Sequence, residues 1–281
     1  MPLAAASPAA APPIAASPVT HRAGGPPDFA GRRGAALVLG ASGGLGARIA
    51  GVLADRGSAL ALTYRRESAH VAELLARTSA DPVPARAYRL DLGDAAACAR
   101  VLDAVAHDFG GLHTLIYASG PHVPMVHLSK VGPKQFREQL LDDAVAFFNA
   151  LQPALKHLRA SRGSVVAVTT AATSRYPVRD GLSAVPKGAV EALVRGVAAE
   201  EGRFGVRANC VGPGMLTDGM AARLIDSGDL DERALDAAVR NIPLRRFGTA
   251  DDIAEAVCFL ASDRAGFITG QKLDIDGGYG V

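Results

Sequence analysis

The sequence predicts an α/β protein built on a single doubly wound parallel sheet of the Rossmann type. From residue 35 onward, short and almost wholly apolar segments alternate with longer stretches of helical spacing. Strands that are apolar on both faces belong in a parallel sheet covered by helices on both sides, and right-handed crossovers wind that sheet outward from one point. A glycine-rich turn, GASGGLG, joins the first strand to the first helix. That is the junction where this architecture holds a dinucleotide.

The elements follow in order. AALVLG (35–40) is a buried strand closing on glycine, and 44–55 is a helix with Leu45, Ile49, Val52 and Leu53 on one face. SALALTY (58–64) is the second strand and 68–77 the second helix. ARAYRLD (85–91) and 95–108 repeat the pair, and LIYASG (115–120) is the fourth strand. A long helix is expected over 136–158, then the strand SVVAVTT (164–170) and a helix around Lys187. VRANCVG (206–212) and KLDIDGG (272–278) complete the sheet. One domain over 34–281 accounts for all of them, a size such folds reach as one unit. Residues 1–33, rich in Ala and Pro without periodicity, are expected to be a disordered arm. They lack the basic start and continuous apolar core of a secretory signal, while their shortage of acids is shared with transit peptides.

Composition bounds the function. The 30 basic and 28 acidic residues give a net charge of +2, which demands neither nucleic acid nor an anionic membrane as partner. No apolar run approaches the ~18–20 residues of a membrane span. Cys98, Cys210 and Cys258 are scattered, with no CxxC and no Cys/His cluster. Neither a disulfide framework nor a metal site is expected, and a reducing, cytoplasmic compartment is the simplest expectation.

Gly40, Gly44 and Gly46 are spaced G-x-x-x-G-x-G. Residues without Cβ let backbone approach a pyrophosphate, and the helix opening at Gly44, Leu45 and Gly46 offers it free N–H groups. Ser42 adds a hydroxyl inside the turn. The second strand ends TYRRES, with Arg65 and Arg66 where folds that select NAD place an acid. Guanidinium groups suit a 2′-phosphate, so NADP(H) is the expected cofactor.

These residues are joined by Asp91 in RLDLGD, by YASG after the fourth strand, by CVGPGMLTDGM, and by the tail PLRRFGTADDIAEAVCFLASDRAGFITGQKLDIDGG. On all of them the chain, over about 33–281, resembles the short-chain dehydrogenase/reductase family. The tail is similar to that of its acyl-carrier-protein ketoreductases and enoyl reductases. The resemblance implies that Asp91 and Leu92 hold the adenine and that Ala118, Ser119 and Gly120 form the loop of the Asn-Asn-Ala-Gly position. It also implies that Pro213 and Gly214 lie beside the nicotinamide, with Thr217 near the carboxamide. In relatives, apolar stripes such as Ala144, Phe147, Phe148 and Leu151, or Val190, Leu193 and Val197, form a dimer of dimers, which implies a homotetramer.

The catalytic set departs from the family. Its pattern is an Asn on the long helix, a Ser ending the fifth strand, and Tyr-x-x-x-Lys, the tyrosine supplying a proton with its pKa lowered by the lysine. Those positions here hold Asp143, Thr170, Ser183 and Lys187. Thr170 keeps a hydroxyl, Asp143 is free to pair with Lys187, and the aliphatic hydroxyl of Ser183 cannot replace a phenol as an acid. The dienoyl-CoA reductases also have Ser four before Lys, but their tyrosine falls at Ala172 here. The enoyl reductases place theirs seven before Lys, at Asp180 here.

Two replacements are open. Tyr176 lies on the loop between Thr170 and Lys187. Asp180 could donate if burial raised its pKa. Tyr117 stands on the floor of the cofactor site, whereas Tyr64, Tyr88 and Tyr279 are set aside as lying on other strands or at the terminus. His122 and His127 border the expected substrate mouth.

Reducing an activated C=C leaves charge on a thioester enolate, which hydrogen-bond donors can stabilise; a ketone gives a more basic alkoxide that needs a prompt acid. The expectation is therefore an NADP(H)-dependent oxidoreductase that reduces C=C, or less readily C=O, of a thioester on a carrier protein or CoA. Met215, Leu216, Met220, Leu224 and Ile225 suit an apolar lid. The alternatives are non-redox chemistry on the same fold (dehydratase, isomerase or cyclase) and a catalytically silent nucleotide-binding relative.

Overall fold

The computed structural model describes residues 27–79, 84–217 and 239–281. Strands β1 (Ala35–Leu39), β2 (Leu60–Tyr64), β3 (Ala85–Arg89), β4 (Leu112–Tyr117), β5 (Ser164–Val168), β6 (Arg207–Pro213) and β7 (Lys272–Ile275) form one parallel sheet. Their order is β3-β2-β1-β4-β5-β6-β7. Side-chain alternation feeds two cores. In β1, Ala35, Leu37 and Leu39 face α3 (Ala95–Phe109), α5 (Ala146–Ser161) and α6 (Gly181–Glu201). Ala36 and Val38 face α1 (Gly44–Asp55), α2 (Ala69–Ser79) and the last helix, α7 (Ala250–Ala261). A one-residue slip would exchange the two sets, so register is fixed by burial on both sides.

The chain moves outward from β1 to β3, then returns to lay β4 against the other edge of β1. The crevice at that reversal, outside the carboxyl ends of the strands, is where open α/β sheets hold ligands. β4 begins and ends three residues earlier than the expected 115–120, which releases Ala118, Ser119 and Gly120 as the loop over this crevice. The expected long helix is two pieces, α4 (Pro133–Leu140) and α5, joined by one π-helical turn over Leu141–Val145. Such turns carry an extra residue and re-aim what they hold, here Asp143. α7 lies where no helix was expected, packed against α1. Its signal is a capping box, Thr249 and Asp252 bonding each other's backbone N–H groups.

Packing starts before residue 34. Phe29 is buried and stacks on His113 at 5.8 Å, and Asp28 pairs with Arg56 at 2.9 Å. Phe29 is the one Phe, Tyr or Trp among the first 33 residues, and it anchors the end of that Ala/Pro-rich stretch. The rest of the expected arm, residues 1–26, lies outside the described residues. So do Met220, Leu224 and Ile225 of the expected lid. No helix among the described residues is long and apolar enough to cross a membrane.

Candidate active site

The glycine turn is closed by backbone. Gly40 takes φ +88°, and a Cβ there would sit 2.7 Å from the Ala118 carbonyl oxygen. A Cβ on Gly46 would sit 2.3 Å from the Gly40 oxygen. Gly44 is different: a Cβ there meets nothing within 4 Å, because it projects into open space over the start of α1. That helix has Gly43 as its N-cap and no capping side chain, so its first N–H groups are unclaimed. An open cradle of uncapped N–H groups fits a dinucleotide pyrophosphate. Ser68 Oγ donates to the Ser42 carbonyl at 3.1 Å, and His70 lies 3.2 Å from the same oxygen.

Arg65 and Arg66, just past β2, are exposed and form no ion pair among the described residues. Asp91 is exposed and accepts from Gly93 N at 2.9 Å. Leu92 is half-buried, its carbonyl held by Asn149 Nδ2 at 2.9 Å. Gly214 donates to the Ile275 carbonyl at 3.0 Å. Thr217 donates through its hydroxyl to Gly248 at 3.3 Å.

A cleft of about 520 Å³ continues from this cradle. Asp143, Thr170, Asp180, Ser183, Lys187 and Pro213 all line it. The Lys187 ammonium donates to Asp143 Oδ1 at 2.9 Å and to the Ser119 carbonyl at 3.1 Å. Tyr117 donates to the same Asp143 oxygen at 2.8 Å, and its ring lies 4.9 Å from the ammonium. Lys187 is thus neutralised by a buried carboxylate. Tyr117 is buried, and burial first and Asp143 second hold its phenol well above the ordinary tyrosine value. Its proton is locked to Asp143.

Thr170 Oγ1 accepts from Ala172 N at 3.1 Å, which leaves the hydroxyl proton for the cleft. Ser183 makes no side-chain hydrogen bond among the described residues. Asp180 is half-buried on the cleft wall, and burial pushes its carboxyl up to about 6. Arg179 before it adopts φ +74°, a left-handed conformation that non-glycine residues seldom take.

Tyr176 lies elsewhere. It is 51% exposed, and its hydroxyl crowds Gly181 beside Leu128 at the start of α6 rather than the cleft. His122 and His127 are exposed and do not line the cleft, while Pro121, Val123 and Met125 of the same loop form an apolar wall. Tyr279, set aside as terminal, does line the cleft. The two glycines before it, at φ +66° and +88°, turn the tail back, and that pair was the readable signal. The three cysteines are free and buried, Cys98 pushed up to about 11 and Cys210 and Cys258 to about 12 by burial, which makes them poor nucleophiles. No metal-binding cluster of His, Cys, Asp or Glu occurs among the described residues.

Comparison with known proteins identifies the family. The family described as Enoyl-(Acyl carrier protein) reductase matches residues 40–280. Versicolorin reductase 1 of Dothistroma septosporum is 30% identical, over 86% of this chain and 94% of its own length. The 3-oxoacyl-(acyl-carrier-protein) reductase of Staphylococcus aureus is also 30% identical, over 86% of this chain and 96% of its own. Among solved structures, a short-chain dehydrogenase of Burkholderia cenocepacia in complex with NADP superposes with a TM-score of 0.80 at 30% identity, covering 90% of this chain and all of that one. Fold, cradle and relatives lead to one conclusion: the chain belongs to the short-chain dehydrogenase/reductase family of NAD(P)(H)-binding oxidoreductases.

Proposed function

We propose that the protein uses NADPH to reduce the C=C bond of an apolar α,β-unsaturated acyl thioester, carried on CoA or a carrier protein. The observation that carries this reading is the Lys187–Asp143 pair facing Ser183: the lysine's charge is already matched, and the phenol beside it, Tyr117, is buried outside the cleft lining with its proton held by Asp143. Arg65 and Arg66 favour the 2′-phosphorylated coenzyme. Bound at the cradle, the coenzyme would supply hydride to the β-carbon. Lys187 and the Ser119–Gly120 loop hold the site's floor. Thr170 donates a hydrogen bond to the enolate oxygen, where charge develops. Asp180, protonatable near neutrality, returns a proton to carbon. Pro121, Val123, Met125 and Ile242 keep the acyl body dry. The enoyl-reductase description of the matching family supports the substrate class.

A second reading, C=O reduction with Asp180 as the acid, is favoured by the ketoreductase named among the relatives. Of the expected subunit-pairing stripes, Ala144, Phe147, Leu151, Val190 and Val197 are buried in the core, while Phe148 with Leu141 and Val145 forms an exposed apolar strip that supports assembly as a homotetramer.

The test mixes purified protein with NADPH or NADH and a panel of enoyl and 3-oxoacyl thioesters. Oxidation of NADPH by enoyl thioesters is expected. Oxidation only by oxoacyl thioesters selects the second reading. Product without NADPH consumption selects dehydratase, isomerase or cyclase chemistry, and coenzyme binding with no product from any thioester selects a silent relative.

A further inference from the structure

We propose that Tyr279, two residues from the end of the sequence, is the substrate-contacting phenol of this cleft, donating a hydrogen bond to the oxygen of the bound acyl group. The inference rests on the substrate class proposed above but not on which bond is reduced.

The tail is built to deliver that side chain. Gly277 and Gly278 reverse the chain after β7. The Asp276 carboxylate then accepts from Gly278 N at 2.9 Å and Gly280 N at 2.7 Å, and Tyr279 N donates to the Asp276 carbonyl at 3.2 Å. Leu244 N donates to the Gly277 carbonyl at 3.1 Å, and Pro243 packs so closely that a Cβ on Gly278 would meet it at 3.0 Å. The backbone on both sides of Tyr279 is therefore fixed.

Arg175 fixes the ring. Its guanidinium lies 4.3 Å from the ring centroid and also donates to the Tyr279 carbonyl. The loop that carries Arg175 is anchored in turn: Ser174 Oγ donates to Asp274 Oδ2 at 2.6 Å, and Arg175 N donates to Ala171 O at 3.1 Å. A cation over an aromatic face holds it at little entropic cost.

The hydroxyl is unspent. Tyr279 is half-buried on the cleft wall with Thr170, Asp180 and Lys187, yet its phenol oxygen makes no hydrogen bond among the described residues. A phenol that lines a largely apolar cleft without a protein partner keeps its donor for whatever enters the cleft. Arg175 is a positioning residue that acts through the ring.

The experiment measures binding of an unreactive saturated probe, decanoyl-CoA, to the NADP-loaded protein by titration calorimetry, alongside NADPH oxidation with 2-decenoyl-CoA. Tyr279→Phe keeps the ring and loses the donor. It should weaken probe binding roughly threefold to tenfold, raise KM by a similar factor, and leave NADPH affinity and thermal stability unchanged. Arg175→Met should weaken the probe as well, with little further loss in the Tyr279→Phe background. Wild-type affinity in Tyr279→Phe overturns the inference. So does a parallel loss of NADPH binding, which would make the tail merely structural. If the wild type oxidises no NADPH yet binds the probe in a Tyr279-dependent way, the proposed reaction fails and this inference stands. No probe binding by wild type overturns both.

Discussion

Replacing Asp143 by leucine should destabilise the protein far more than removing Asp143 and Lys187 together. Asp143 Oδ1 and Lys187 Nζ lie 2.9 Å apart, with side chains only 5% and 13% exposed. At an effective dielectric near ~20 the gross attraction at that separation is about 6 kcal/mol. Desolvation of the two ions consumes most of it, so the pair contributes little net stability. Breaking it is another matter, because the surviving ammonium stays buried beside the Tyr117 ring. That costs about 3–5 kcal/mol. Tyr117 loses the carboxylate but keeps the Asp143 backbone carbonyl at 3.0 Å, which limits the damage.

At ~2–4 °C per kcal/mol for a domain of this scale, Asp143→Leu should lower Tm by roughly 6–20 °C. The double variant Asp143→Leu with Lys187→Met removes both charges and should recover most of that loss. Thermal unfolding followed by circular dichroism at pH 7, as a double-mutant cycle, measures both quantities. A double variant no more stable than Asp143→Leu, or a single variant within ~1 kcal/mol of wild type, would refute the buried-pair reasoning.

Three further outcomes follow from the site. Asp180→Asn should lower the rate and remove the alkaline limb expected of the wild type, whose activity should fall as pH rises through about 6. Because the folded-state pKa is raised, Asp180 contributes stability below the ordinary carboxylate range and loses it as pH climbs through about 6, so the asparagine variant should be relatively more stable above that pH. Gly46→Ala should lower Tm, since its Cβ would fall 2.3 Å from the Gly40 oxygen. Gly44→Ala, whose Cβ meets nothing within 4 Å, should keep Tm and lose coenzyme affinity, read by NADPH fluorescence titration. Replacing Arg65 and Arg66 together by alanine should weaken NADPH binding ~10–100-fold and leave NADH binding nearly unchanged; equal loss for both coenzymes would remove the 2′-phosphate assignment.

Much of the fold was legible because its signals are local. Near-continuous apolar runs marked the inner strands, and the glycine turn marked the first crossover within a residue of where β1 and α1 meet. Errors arose where the deciding contact is distant. β4 begins at Leu112 because it pairs with Ala35, and its apolar text alone does not say where pairing starts. Phe29 sits in a stretch whose composition reads as disordered, yet one ring stacked on His113 holds it. Within the site, Asp143 and Lys187 were readable by spacing, but the Tyr117 hydroxyl that completes their network depends on the π-helical turn, which no periodicity announces. Tyr279 was missed because sequence distance from Thr170 hides the reversal that β7 and two left-handed glycines produce.

The departures at Asp143 and Ser183 are best understood as one change. A lysine cation beside a phenol is useful because it stabilises the phenolate. Once the phenol is gone, the same cation in the cleft would favour ionisation of any neighbouring acid and so deprive it of its proton. Asp143 removes that influence by matching the charge at 2.9 Å. Asp180 then responds to burial, which pushes its carboxyl up to about 6 and keeps it protonatable near neutrality. The ammonium keeps its hydrogen bond to the Ser119 carbonyl and lies so near Gly120 that a Cβ there would meet it at 3.5 Å, so its structural task survives the loss of its electrostatic one. On the proposed mechanism, the buried salt bridge and the half-buried carboxyl of Asp180, one turn before Ser183, together replace the phenol beside the lysine as the source of the proton.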